Sequence, residues 1–152
     1  MFEVKLIGGA LGAELSGVDL TKDLSSSVLS EIRKLLIKHE VIFFRDQDIS
    51  HAQHKQIANY FGPLQIHPAY GTIQDFPEIQ VLESTAEKPS KIEEWHTDMT
   101  FRKHPPMGSI LRSKICPPFG GDTLWSSMTA AYNALSDPMK DLLENLSSEH
   151  DF

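Results

Sequence analysis

The stretch EEWHTDMTF, residues 93–101, sets His96 and Asp98 two positions apart. An imidazole and a carboxylate at that spacing can share one cation, because side chains i and i+2 of an extended strand leave the same face about 6.6 Å apart and can converge. Two histidines and one carboxylate occupy one face of octahedral iron(II) and leave positions open for a cosubstrate and dioxygen. Zinc is more often held by Cys and His in a closed tetrahedron or by three protein ligands plus water, and calcium wants more oxygen donors. Iron therefore fits this pair, with His96 and Asp98 as two of three ligands. The same tripeptide also reads as a polar turn that happens to contain a histidine, and in a chain with seven His the spacing alone discriminates weakly between the two.

The elements that must position this stretch can be read from periodicity and breakers. Glu3 to Ile7 and Ala13 to Val18 read as short strands separated by a Gly8-Gly9 turn. In SSSVLSEIRKLLIKHE the residues Val28, Leu29, Ile32, Leu35 and Leu36 share one face of a helix. VIFFRD, residues 41–46, is an interior strand by its β-formers. ISHAQHKQIANYFG is a second helix with Ser50 as N-cap, Gln53 at the reciprocal capping position and Gly62-Pro63 as its stop. Residues 63–77 form a Gly- and Pro-rich loop, Ile79 to Ser84 a strand, and residues 85–94 a polar loop. After HPPMG, Ser109 to Ile115 and TLWSS read as strands around the turn CPPFGGD. Two helices close the chain; in the second, Asp137 can cap, Pro138 suits the first helical position, and Met139, Leu142, Leu143 and Leu146 form an apolar stripe. Strands broken by loops with helices at both ends predict an α+β, mainly-β core with flanking helices rather than a doubly wound sheet. No GxGxxG or P-loop pattern supports a nucleotide site.

Composition narrows the partners. A chain of 152 residues suits one domain, and 40% apolar with 23% charged residues is ordinary for a globular protein. The apolar runs are too short to span a membrane, and the start MFEVKLIGGALGAEL lacks the form of a secretory signal. The single Cys116 forms no internal disulfide and reads as a structural thiol, so a reducing, cytoplasmic setting is expected. Net charge is −7 with no basic stripe, which argues against nucleic acid. A small anionic substrate stays compatible, because a few placed donors can bind it whatever the net charge. A second copy or a complementing chain is the protein partner left open. Trp95, Phe101 and Trp125 are expected as core aromatics; His39, His51 and His54 as solvated helix residues; His104 as a loop residue.

WHTDMTF, PPMGSIL and GGDTLW, together with GAELSGVDLT, VIFFRDQ, FGPLQIHPAY and EHDF, resemble segments of the taurine dioxygenase (TauD/TfdA) family of Fe(II)- and 2-oxoglutarate-dependent dioxygenases in the same order. The likeness covers residues 1–152 and implies the N-terminal portion of one such domain, a partial double-stranded β-helix of the jelly-roll, cupin-like kind. It implies that His96 and Asp98 are iron ligands and that the Thr123 hydroxyl holds a carboxylate of 2-oxoglutarate. By the same likeness His67 and Tyr70 of IHPAY line the substrate pocket. Without it, Thr123 reads as a strand threonine after a turn, and His67 and Tyr70 as a loop histidine and a half-buried tyrosine. The implied reaction consumes 2-oxoglutarate and dioxygen, yields succinate and CO2, and hydroxylates the substrate carbon bearing the sulfur group, so that sulfite or sulfate leaves.

Two departures from the family pattern carry meaning. Taurine-specific members resemble this chain but place an asparagine four residues before the first metal histidine; here Ile92 stands there, which favours a less polar sulfonate or an alkyl sulfate over taurine. Family members also continue past the segment resembling EHDF, and that continuation carries the distal iron histidine and the arginines for 2-oxoglutarate and substrate. His150 matches a different family position and is not expected as the third ligand. The 152-residue chain alone is thus expected to bind iron weakly and to be incomplete for turnover, with a non-catalytic remnant or binding module as the alternative.

Overall fold

In Ala13–Ser16 every second side chain is apolar, and the strand these residues form buries Ala13 and Leu15 while Glu14 is half-buried and Ser16 exposed. This computed structural model describes residues 2–67, 70–90, 92 and 94–151. Pro68 and Ala69 of IHPAY, Glu93 of the opening stretch, Lys91 of the preceding loop, Phe152 of EHDF and Met1 lie outside the described residues. The chain divides into two compact units, residues 1–49 with 111–148, and residues 50–110 with 149–152.

The first unit is built on a three-stranded sheet. β1 (Glu3–Leu6) pairs antiparallel with β2 (Ala13–Ser16), and β3 (Ile42–Phe43) pairs parallel with β2. A parallel return needs a crossover, and α1 (Ser26–His39) supplies it. The Ser25 side chain accepts from the Val28 amide to start this helix, and Lys38 and His39 sit favourably against the dipole at its end. Of the expected apolar face, Ile32 and Leu35 are buried, and they join Ala13, Leu15, Val18, Leu20 and Ile49 in the core. VIFFRD is a strand only at Ile42–Phe43, the two residues that find a ladder partner.

The second unit contains α2 (His51–Phe61), β4 (Thr72–Ile73) and β5 (Phe76–Gln80). The expected capping box is present: the Gln53 amide donates to Ser50 Oγ, and Ser50 N–H donates to Gln53 Oε1 at 2.7 Å. β4 and β5 form an antiparallel hairpin within the segment expected as a loop. Its two-residue turn, Gln74-Asp75, needs a left-handed residue, and Asp75 at φ 66° provides it without glycine. The strand expected from Ile79 to Ser84 instead begins at Phe76 and ends at Gln80. Lys55 of α2 reaches Glu78 of β5 at 2.6 Å and holds its carboxyl below the ordinary value. Every fully buried apolar side chain among the described residues belongs to the first unit.

The first unit also holds α3 (Met128–Asn133) and α4 (Asp137–Leu143). Ser127 caps α3 by accepting from the Ala130 amide and donates to Glu40 Oε1 at 2.8 Å. In α4, Ser136 rather than Asp137 occupies the N-cap, with Pro138 in the first turn as expected. The apolar stripe exists but is uncovered: Met139, Leu142, Leu143 and Leu146 are all exposed. The strands expected at Ser109 to Ile115 and TLWSS are not formed among the described residues. β-forming composition cannot make a strand without a neighbour to accept its hydrogen bonds, and these segments have no ladder partner. The class is α+β as expected, but helices account for more of the described residues than strands do, so the core is not mainly β. No helix among the described residues is long and apolar enough to cross a membrane.

Two measurements check this account. Leu15→Ala, at the most buried large side chain, is expected to destabilise the first unit by about 2–5 kcal/mol in chemical denaturation. Asp19 accepts from the Thr21 hydroxyl first and from Lys22, which lowers its pKa from 3.8 to about 2. A depressed carboxylate stabilises the fold above its unfolded value and loses that contribution as pH falls through the folded one. The stability gap between wild type and Asp19→Asn is therefore expected at pH 5 and should close as pH falls from about 4 to about 2.

Candidate metal centre

His96 and Asp98 do converge, by a tighter route than a strand offers. Residues 95–97 form no regular element, a turn begins at Asp98, and Met99 adopts φ 60°. This left-handed residue reverses the chain, and the Arg102 amide closes the turn on the Met99 carbonyl at 3.1 Å. The Thr100 hydroxyl donates to the Thr97 carbonyl at 3.4 Å. His96 Nε2 lies 3.1 Å from Asp98 Oδ1 just ahead of this reversal, so the expected strand is corrected to an irregular run entering a turn, with the two side chains close together.

The electrostatics of the pair explain what it can hold. His96 Nδ1 lies 2.9 Å from the Glu94 carbonyl, which can only accept, so Nδ1 carries a proton and donates. That bond first, and the Asp98 carboxylate as a smaller cause, raise the imidazole above its ordinary pKa, with burial opposing. Nε2 and Oδ1 thus face each other across a gap that requires a positive charge, either a proton on Nε2 or a cation between them. Two donors at right angles on an octahedral ion, each about 2.1 Å from it, sit about 3.0 Å apart, so the observed separation fits a shared metal. The backbone bond at Nδ1 fixes the tautomer that offers Nε2 as ligand. Both side chains are more than half exposed, and as a surface ion pair alone they add little stability. Among the described residues no third His, Cys, Asp or Glu joins them.

His67 and Tyr70, expected together, are together: their rings lie 4.7 Å apart at 45°. Phe101 meets His67 edge-on at 6.3 Å. Tyr70 is exposed and His67 half-buried. Thr123 belongs to the other unit, exposed just beyond Gly120 and Gly121, whose positive φ values make the expected turn.

The core assignment of the tryptophans is corrected. Trp95 is 69% exposed, and Trp125 is exposed although its ring packs edge-on against Phe43 at 5.3 Å. Phe101 is half-buried. Of the histidines expected to be solvated, His51 packs against Phe76 and His54 Nε2 lies 3.0 Å from the Ile110 carbonyl, so each has a partner. Cys116, expected as a structural thiol, is exposed beside Ser113.

Three residues hold the turn through contacts that the sequence does not foretell. His150 Nδ1 lies 2.9 Å from Thr100 Oγ1, so His150 braces the turn instead of joining the donor pair. Arg102 Nη2 donates to the Ile66 carbonyl at 3.0 Å, and Gln65 Nε2 to the His104 carbonyl at 3.2 Å. For Arg102 and Gln65 the sequence signal is their nearness to WHTDMTF and IHPAY, and for His150 it is its place in EHDF.

The family profile described as "Taurine catabolism dioxygenase TauD, TfdA family" matches residues 3–152. The chain is 34% identical to an alpha-ketoglutarate-dependent sulfate ester dioxygenase from Pseudomonas putida, over 99% of this chain and 51% of that protein. It is 36% identical to an alkylsulfatase from Acinetobacter baylyi, over 97% of this chain and 46% of that one. Its backbone matches the crystal structure of a taurine dioxygenase from Burkholderia xenovorans with a TM-score of 0.82 at 38% identity, covering 95% of this chain and 51% of that one. The chain spans about half the length of these relatives.

Titration with Co(II) or Mn(II) tests the pair and its brace. His96→Ala and Asp98→Ala are each expected to abolish saturable binding. His150→Ala, which removes only the support behind Thr100, should weaken binding about tenfold.

Proposed function

The chain belongs to the taurine catabolism dioxygenase TauD, TfdA family, and on that premise we propose that it forms the metal-turn and substrate-loop half of an Fe(II)- and 2-oxoglutarate-dependent dioxygenase acting on a small alkyl sulfate or sulfonate. The observation that carries this reading is the 3.1 Å approach of His96 Nε2 to Asp98 Oδ1 with Nδ1 locked on a carbonyl. His96 and Asp98 would hold the iron. Bound with 2-oxoglutarate and dioxygen, that iron would supply the oxidising equivalent for hydroxylation, with succinate and CO2 as coproducts. The protein's own residues do the placing. The Thr123 hydroxyl would donate to a carboxylate of 2-oxoglutarate. His67 and Tyr70 would donate to the sulfate or sulfonate oxygens, and the half-buried Phe101 would limit water beside His67. A substrate hydroxylated at the carbon bearing the sulfate oxygen collapses to an aldehyde and sulfate.

The substrate class is supported from two directions. The relatives named for a sulfate ester and an alkylsulfatase match nearly the whole chain. Ile92 offers no amide to an amino group such as taurine's, and its exposed side chain suits an alkyl substituent. The larger fold would be a double-stranded β-helix completed by further polypeptide. The uncovered stripe of Met139, Leu142, Leu143 and Leu146 supports that completion, whether as continuing sequence, a complementing chain or a second copy. A reducing, cytoplasmic setting belongs to the same reading, since the single exposed Cys116 has no partner cysteine in the chain.

The reading is tested by sulfate and succinate release from a panel of alkyl sulfates and sulfonates with 2-oxoglutarate, Fe(II) and oxygen. The chain is assayed alone and with the polypeptide that completes the family domain. Turnover is expected in the completed form, with taurine at least about tenfold less efficient than an alkyl sulfate and Ile92→Asn narrowing that gap. A preference for taurine overturns the substrate assignment, and full turnover by the chain alone overturns its incompleteness. Thr123→Val should weaken 2-oxoglutarate binding about 10–100-fold in a direct titration, the worth of a hydrogen bond to a charged group.

A further inference from the structure

The turn that carries Asp98 and the loop that carries His67 lie in a unit where no apolar side chain is fully buried among the described residues. Two long polar side chains tie them together. Arg102 Nη2 donates across to the Ile66 carbonyl at 3.0 Å, and Gln65 Nε2 donates back to the His104 carbonyl at 3.2 Å. The two bonds run in opposite senses, so either segment sliding along the other breaks both. Their anchor points are short extensions of the candidate site. Ile66 is bonded to His67, and the Arg102 amide closes the turn on Met99, the neighbour of Asp98.

We propose that Arg102 and Gln65 are positioning residues forming a two-rung clamp. The clamp fixes the spacing between metal turn and substrate loop, and so the length of anionic substrate whose C–H bond reaches the metal. This rests on the Proposed function for what the two segments do. Surface loops with no core beneath them open readily, and a displacement of about 1 Å at the reacting atoms can cost a hundredfold in rate. A side chain that sets that spacing acts on chemistry without touching the substrate. The clamp is also incomplete as it stands: Gln65 Oε1, an acceptor, and Arg102 Nε, a donor, are buried without hydrogen-bond partners. Such complementary orphans are what a bridging water or a polar ligand group would satisfy, stiffening the clamp when the site fills.

The test reads the spacing directly in the wild-type chain. Mn(II) bound at His96 and Asp98 broadens the NMR signals of nearby protons steeply with distance, so the His67 and Tyr70 ring protons report the gap. In Arg102→Ala and in Gln65→Glu, which removes the amide donor, that broadening is expected to change by more than about twofold with Mn(II) affinity within about threefold of wild type. Arg102→Lys, which keeps a donor for the Ile66 carbonyl, should restore most of the wild-type pattern. Hydrogen exchange gives a metal-independent arm: amides of residues 66–67 and 99–102 should speed up together by about tenfold in Arg102→Ala. A merely structural role would lower the melting temperature and leave the broadening in folded molecules unchanged. Unchanged broadening in both variants, or faster exchange in one segment only, overturns the clamp. Failure of wild type to bind Mn(II) counts instead against the metal reading, and the exchange arm then decides the clamp alone.

Discussion

The approach of His96 Nε2 to Asp98 Oδ1 across 3.1 Å is the interaction on which the candidate site depends. An imidazole whose other nitrogen already donates to a carbonyl can sit against a carboxylate only with positive charge between them. In solution that charge can be a proton, and the raised pKa of His96 reflects it. A divalent cation is the occupant the proposed function calls for, and it would displace the proton by competing for the same lone pair. The pair is therefore poised rather than stabilising: exposed as it is, it contributes little to folding. What holds it in place must come from elsewhere.

The support comes from polar bonds because an apolar core is not available there. The first unit follows the common pattern, with Leu15, Ile32 and Leu35 packed between a sheet and a helix. In the second unit, the Met99 reversal, the His150 brace on Thr100 and the Arg102 and Gln65 ties do the corresponding work by direction instead of by area. Hydrogen bonds specify geometry more sharply than dispersion does, at the cost of weak individual contributions in solvent-exposed segments. A site that, on the proposed function, would admit a metal, a cosubstrate and a substrate benefits from this arrangement, since a dry packed core would exclude all three.

What the sequence disclosed follows from how local each signal is. The helices at Ser26–His39 and His51–Phe61 were legible because periodicity and the Ser50 and Gln53 capping pair act within one or two turns of chain. SILRSKI and TLWSS were not, because a strand exists only through its neighbour, and composition cannot supply one. The β4–β5 hairpin escaped because Asp75 takes the left-handed position where glycine would have flagged it. At the site, the spacing of His96 and Asp98 suggested strand neighbours, whereas the two lie on an irregular segment that enters a turn at Asp98. Arg102, Gln65 and His150 were invisible because their bonds span 36, 39 and 50 residues. Trp95 misled for the opposite reason: its size predicts burial in a complete core, but it is largely exposed.

Charge sets the remaining condition on the site. A chain of net charge −7 draws cations toward it and repels anions at long range, which favours a divalent metal at His96 and Asp98 and disfavours the sulfate or sulfonate that the reading requires. At physiological ionic strength that repulsion is screened within about 8 Å, so recognition passes to donors in direct contact. On the proposed function His67 and Tyr70 would be such donors, their rings lying 4.7 Å apart. A metal held by His96 and Asp98 would add local positive charge and weaken the repulsion that an approaching anion meets. On the proposed function, metal loading would favour substrate binding for an electrostatic reason, because a cation held at the turn would offset the acidic charge that an anion approaching the neighbouring loop meets.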